Sequence, residues 1–297
     1  QQYPARDTVR IQTLMQLAYA LERENPGASV SFALDAQDIA VELALPIREA
    51  DAIQQVGNSY GVLGAYLKQR DCYLAARKIY QDIGDKQGEI AALNNLGTIA
   101  SQQKNYEFAS QYLQKALQMT LASGDLHNLS AIYNNLGSIY LDQGIHDSAL
   151  TYFGKAHVFA TYKNPDPVIA SIALVNIGDT YSEKGDPRRS LEIFNACIRD
   201  KNKLNDLYGL SELYQNIGDS YRDLDMLDSA LHFFKLGLQY ADLTNAMEMQ
   251  EALHRELASV YDTLGQVDVA LHHSQQSILL LDSLRQAEAT SISQATQ

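Results

Sequence analysis

Five amides recur in one frame: Gln55, Asn95, Asn135, Asn176 and Asn216, with Asn94 and Asn134 adjoining two of them. Asn is a mediocre helix-interior residue, and each of these stands inside a segment whose apolar spacing is helical, so the repetition needs a reason other than propensity. An amide donates and accepts together, which suits pairing with a peptide backbone. Three residues after each amide comes a second polar set, Asn58, Thr98, Ser138, Asp179 and Asp219, one turn along the same face and more acidic toward the C-terminal half. These twelve residues are the candidate ligand-binding positions. Packed helices lie about 8–10 Å apart and an extended chain advances about 3.3 Å per residue, so each rung would meet every third residue of an extended ligand. The same amides could instead bond neighbouring helices or backbone inside the fold, and both readings stand at this level.

Bond-making chemistry has no comparable pattern. The chain holds no glycine-rich phosphate loop, Cys-x-x-Cys, His-Glu-x-x-His or Gly-x-Ser-x-Gly element. The histidines are scattered, and the adjoining His272 and His273 point about 100° apart on a helix. Asp223 and Asp225 flank Leu224 at a turn, where acids cap helices. Cys72 and Cys197 fall in different repeats and are expected to be unpaired, Cys197 as a small packing residue. The tyrosines mostly recur at packing positions. No catalytic residue, metal or cofactor is expected, and the chain is read as a binding protein rather than an enzyme.

What must position the amides is a repeat. Leu17-Ala18, Val56-Gly57, Leu96-Gly97, Leu136-Gly137, Ile177-Gly178, Ile217-Gly218 and Leu257-Ala258 pair an apolar residue with a small one, at intervals of 39, 40, 40, 41, 40 and 40. Tyr60, Tyr140, Tyr181, Tyr221 and Tyr261 follow the small residue by three, with Ala100 as the exception. Ala109, Ala149, Ser190, Ala230 and Ala270 follow it by twelve, then Leu113, Phe153, Phe194 and Phe234 four later. Two antiparallel helices that approach through small residues, with rings filling the wider gaps, account for this spacing. Gly64, Gly144, Gly185 and Gly265 stand seven residues after the small position, where a left-handed cap ends a first helix. Asn25-Pro26 and Asp186-Pro187 cap and open second helices. The result is an all-α solenoid of about seven helical hairpins, expected at 7–44, 48–84, 88–124, 127–164, 167–204, 207–244 and 247–285, with a polar tail or linker over 286–297. In such stacks the first helices line a concave groove, which is where the twelve candidates fall.

The run Asn134-Asn135-Leu136-Gly137-Ser138-Ile139-Tyr140, followed by Gly144, Ala149, Phe153 and Ala156, resembles the tetratricopeptide repeat family. The resemblance extends over nearly the whole chain, with a repeat near forty residues instead of 34. It implies a superhelical TPR-like array that binds protein or peptide, with asparagines at this motif position holding ligand backbone. Asp7-Thr8-Val9-Arg10, the Asn-Pro turn and Leu281-Asp282-Ser283-Leu284 are similar to extracytoplasmic sensor regions of Bacteroidota-type signalling proteins. There the array precedes a membrane helix and a histidine kinase or nucleotide cyclase. That similarity implies a periplasmic or otherwise extracytoplasmic sensor domain; the alternative is a cytoplasmic scaffold or peptide-responsive regulator.

Composition narrows the partners. With 23 Lys and Arg against 36 Asp and Glu, the formal charge is −13, which repels nucleic acid and anionic lipid. A neutral or basic peptide segment is favoured. No stretch is apolar enough to span a bilayer, so no membrane contact is expected within the segment. The start at Gln1 without Met suggests a leader removed or left out. Oligomeric state stays open, a homodimer included.

Overall fold

The glycines and capping residues set the helix ends, and the computed structural model shows where each falls. It describes residues 4–124 and 126–295, with side chains from 7 to 287 apart from Asp125. Among the described residues there are fourteen α-helices and no strand. They pair as α1 (Pro4–Leu21) with α2 (Pro26–Glu42), α3 (Pro46–Val62) with α4 (Tyr66–Ile83), and α5 (Lys86–Gln102) with α6 (Tyr106–Ser123). Then come α7 (Leu129–Asp142) with α8 (His146–Val158), α9 (Pro167–Glu183) with α10 (Pro187–Lys203), α11 (Leu207–Asp223) with α12 (Leu227–Thr244), and α13 (Met247–Thr263) with α14 (Val267–Ala295). A π-helical turn, Phe159–Lys163, extends α8 toward the rigid Asn164-Pro165 bend. The last helix continues to Ala295 through most of the segment read as a tail. The hairpins form two compact units that divide within α7, between Asn135 and Leu136.

Backbone chemistry explains the punctuation. Gly64, Gly144, Gly185 and Gly265 turn from first to second helix with φ between 69° and 77°, the left-handed region where glycine has no Cβ to clash. Lys104 and Asp225 occupy the same place in their repeats at φ 58° and 59°. The caps then start the next helix: Asn25 Oδ1 accepts from the Ala28 N–H, Asp85 from Gln87 and Gly88, Asp166 from Val168 and Ile169, and Asp186 from Arg189.

Within a hairpin the glycine of the first helix receives a large side chain of the second. A Cβ on Gly137, Gly178 or Gly218 would lie 2.6, 2.3 or 2.5 Å from the ring of Phe153, Phe194 or Phe234, and all three rings are fully buried. This corrects the expectation that small residues would face each other and rings fill gaps between hairpins: the ring lies over the glycine, where no other residue leaves room. Hydroxyls tie one hairpin to the next. Ser29 Oγ meets Ser59 Oγ at 2.7 Å between α2 and α3, and Ser190 meets Ser220 at 2.8 Å between α10 and α11.

Candidate functional site

Because successive first helices lie side by side within each unit, the recurring amides face their counterparts one repeat away. In the N-terminal unit, Asn135 Nδ2 on α7 donates to Asn94 Oδ1 at 2.9 Å and to Thr98 Oγ1 at 3.2 Å on α5. Gln55 on α3 is 1% exposed and donates through Nε2 to Glu22 Oε2 at 2.8 Å. Asn58 Nδ2 donates to Gln55 Oε1 at 3.1 Å, and Asn58 Oδ1 accepts from the Tyr73 hydroxyl at 2.5 Å. Asn95 and Asn134 are half-buried on the same helices. A hollow of about 340 Å³ opens beside Asn58, Glu22, Gln69 and Tyr73.

In the C-terminal unit, Asn216 Nδ2 on α11 donates to Asp179 Oδ1 on α9 at 2.7 Å. Asn176 and Ser138 are half-buried on α9 and α7. Asp219 pairs with Arg222 at 2.6 Å, and Arg222 reaches Glu256 on α13. Carboxylates crowd this face. Burial, then the charges of Glu212, Glu183 and Asp219, push the Asp179 carboxyl up to about 7. Burial raises Asp219 to about 6 although Arg222 opposes it, and burial also raises Glu212. On this face Asp219 has Arg222 beside it, whereas Asp179 is held by the Asn216 amide and crowded by carboxylates.

The structure thus joins Asn94, Thr98 and Asn135 into one cluster, Gln55 with Asn58 into another, and Asp179 with Asn216 into a third. The Asn135 and Asn216 bonds run between helices, whereas Asn58 bonds Gln55 within α3, so helix-to-helix bonding, one of the two readings open from the sequence, is realised at the first and third clusters. Asp179 retains acceptor capacity: a carboxylate offers about four acceptor sites, and Asp179 uses one on Asn216.

Several residues of this face escaped the sequence reading. Glu256 stands two residues before Ala258, the frame position of the amides, and Gln16 and Tyr19 hold the corresponding places around Ala18. Carrying the forty-residue register to both ends would have marked them. Between α1 and α3 the rung is displaced by one turn, because Gln55 bonds Glu22 rather than Tyr19. There a cavity of about 440 Å³ is lined by Ile11, Met15 and Leu45, with Tyr19, Arg48 and Asp51 at its polar side. Burial and then Asp51 raise the Tyr19 hydroxyl, and the Tyr80 hydroxyl donates to Asp51 Oδ1 at 2.8 Å.

Reactive groups are muted. Burial pushes the Cys72 thiol up to about 11 and Cys197 to about 12, and both are free thiols, far from the thiolate form a nucleophile needs. Among the described residues no group of three or more His, Cys, Asp or Glu side chains converges as a metal site, and no helix is long and apolar enough to cross a membrane.

Helical hairpins at a forty-residue period, with glycine-to-ring packing and polar first helices, define an all-α repeat solenoid. The tetratricopeptide repeat family matches residues 49–122, 90–161 and 128–203, and again 211–242, so the chain belongs to the tetratricopeptide repeat family. No curated protein sequence matches it. Among solved structures it is similar to the apo form of RapI, at 14% identity and a TM-score of 0.70, covering 93% of this chain and 99% of that one. It is similar to a Rap protein complexed with Competence and Sporulation Factor, at 16% identity and a TM-score of 0.71, covering 93% and 76%. It also resembles the Rap conjugation gene regulator of the plasmid pLS20 in complex with the Phr* peptide, at 16% identity and a TM-score of 0.68, covering 91% and 72%. At these identities the likeness establishes the fold.

Proposed function

We propose that this chain is a non-catalytic module that holds an extended peptide segment of a partner along its first helices. The observation that carries this is the half-buried carboxyl group of Asp179, bonded to Asn216 and flanked by Glu212 and Asp219 with raised affinity for a proton. A ligand Lys or Arg placed there would supply the missing positive charge, and the net charge of −13 favours the approach of a neutral or basic segment. In the N-terminal unit, the cavity over Ile11, Met15 and Leu45 suits one apolar side chain of such a ligand. One of the similar structures, the Rap conjugation gene regulator, holds the Phr* peptide, which supports a peptide-responsive regulator as the cytoplasmic form of this reading. The similarity to sensor regions supports an extracytoplasmic input domain of a larger signalling protein as the other.

Selection from a displayed library of random peptides tests the binding. Basic peptides should be enriched, and Asp179→Asn with Asp219→Asn should weaken them at least about tenfold, the size expected for losing one desolvated charge pair. Failure to enrich any peptide over a charge-matched control, or indifference to both substitutions, would sink the proposal. Sequencing the coding region on both sides separates its two forms: a leader and a membrane helix support the sensor, and an adjacent start and stop support the regulator.

A further inference from the structure

The last hairpin contains a contact that the ligand face does not use. His254 on α13 and His273 on α14 meet through their Nδ1 atoms at 2.8 Å, with ring centroids 5.1 Å apart. That centroid separation is the nitrogen gap plus two ring radii, so the nitrogens point head-on along one line. Such a contact needs one ring to donate and the other to accept, and a single proton lies between them. A metal ion would need about 2.0 Å to each nitrogen, so this line has no room for one.

The neighbours on all three packed helices bear on its charge. From α12, Lys235 lies 5.4 Å from the centre of the Tyr261 ring, and Asp242 acts on His254. On α13, Tyr261 stacks on His273 at 5.6 Å and 5°, while Glu251 is taken up by Arg255 and Ser277. On α14, His272 meets His273 edge-on at 5.6 Å. A first added proton goes to an outer Nε2 and leaves the N–H···N bond in place. A second finds only the shared nitrogen and removes the acceptor.

We infer that His254 and His273 form a one-proton clasp between α13 and α14, which a second proton opens, so that acidification loosens the last helix from the array. Burial first, then the charges of His254, His272 and Lys235, push His273 down to about 4, and burial also lowers His254, with Asp242 opposing. The sign follows from linkage. An open helix protonates near the ordinary histidine value of about 6.5 and the clasped one well below it, so the clasp is at full strength above that pH and weakens as pH falls toward 4. The steps belong to the pair rather than to either ring.

Hydrogen exchange on the full chain, corrected for intrinsic rates, tests this. Amides of residues 268–280 should lose roughly 30-fold protection between pH 7 and pH 4 relative to α5, allowing for the solvent-exposed part of the rings. His273→Asn should show less than about a threefold pH effect, since the amide keeps a donor without titrating. Equal losses in both proteins, or none in the wild type, overturn the clasp. Should the variant fold poorly, imidazole ¹⁵N spectra of the unmodified protein decide. One ring protonated at Nδ1 and a two-step titration support the clasp; two independent titrations near the ordinary histidine value refute it.

Discussion

Replacing Gly178 by alanine isolates the packing rule that builds each hairpin. The added Cβ would sit 2.3 Å from Phe194 Cε1, 2.7 Å from Cδ1 and 3.0 Å from Cζ, where carbon contacts settle at about 3.5–4.0 Å. Phe194 is fully buried, so the ring cannot withdraw without displacing its neighbours. Overpacking of this kind costs about 1–3 kcal/mol, against a helix-propensity gain of up to about 1 kcal/mol for replacing glycine by alanine. The net expectation, with the full propensity gain, is a loss of up to about 2 kcal/mol. In a Phe194→Ala background, itself about 3–5 kcal/mol less stable, the clash disappears and the propensity gain is left, so Gly178→Ala should stabilise. Gly154, on α8 with open space around it, is the control, and Gly154→Ala should stabilise by about 0.5–1 kcal/mol. Urea unfolding followed by circular dichroism, at unchanged m, measures all five proteins, wild type included. A cycle that closes additively, with no coupling between positions 178 and 194, would refute the reasoning.

Lys104→Gly and Asp225→Gly should each stabilise by up to about 1 kcal/mol, because both residues carry a Cβ at positive φ; midpoints of thermal unfolding check this, and Gly144→Ala should move the opposite way. Asp179 has a folded-state affinity for protons raised above that of the unfolded chain, so its contribution to stability is full below about pH 4 and is lost as pH rises through about 7. Asp179→Asn should therefore flatten the urea midpoint against pH across that window and stabilise the protein at pH 8. Asn135→Ala removes two interhelical hydrogen bonds and should cost about 1–2 kcal/mol with helical content unchanged in native buffer; a stability equal to wild type would show that the rung contributes nothing to the fold.

The features that the sequence determined by itself are those imposed by local backbone chemistry and by period. Glycine seven residues past the small position marks a left-handed turn because the penalty at positive φ is intrinsic to the residue. Asn and Asp before proline mark helix starts for the same local reason. The register also locates Lys104, whose residue type gives no turn signal, at a position where the backbone turns left-handed, and Asp225, a type that tolerates such a turn, at the corresponding one. A forty-residue recurrence of small, aromatic and amide positions then leaves a stack of helical hairpins as the packing that satisfies every repeat at once.

Partners across helices were decided only by the tertiary structure. The sequence shows that Asn135 and Asn216 are special; it does not show that one bonds Asn94 and Thr98 while the other meets Asp179, nor that Gln55 slips one turn to Glu22 and leaves a cavity beneath Tyr19. Those choices depend on the rotation between neighbouring first helices, which is set by the summed packing of large side chains and has no local signature. The same holds for His254 and His273, nineteen residues apart. Adjacency in sequence draws attention to His272 and His273, whose rings meet only edge-on. The hairpin instead folds His273 back onto α13, and only that fold places one proton between two rings.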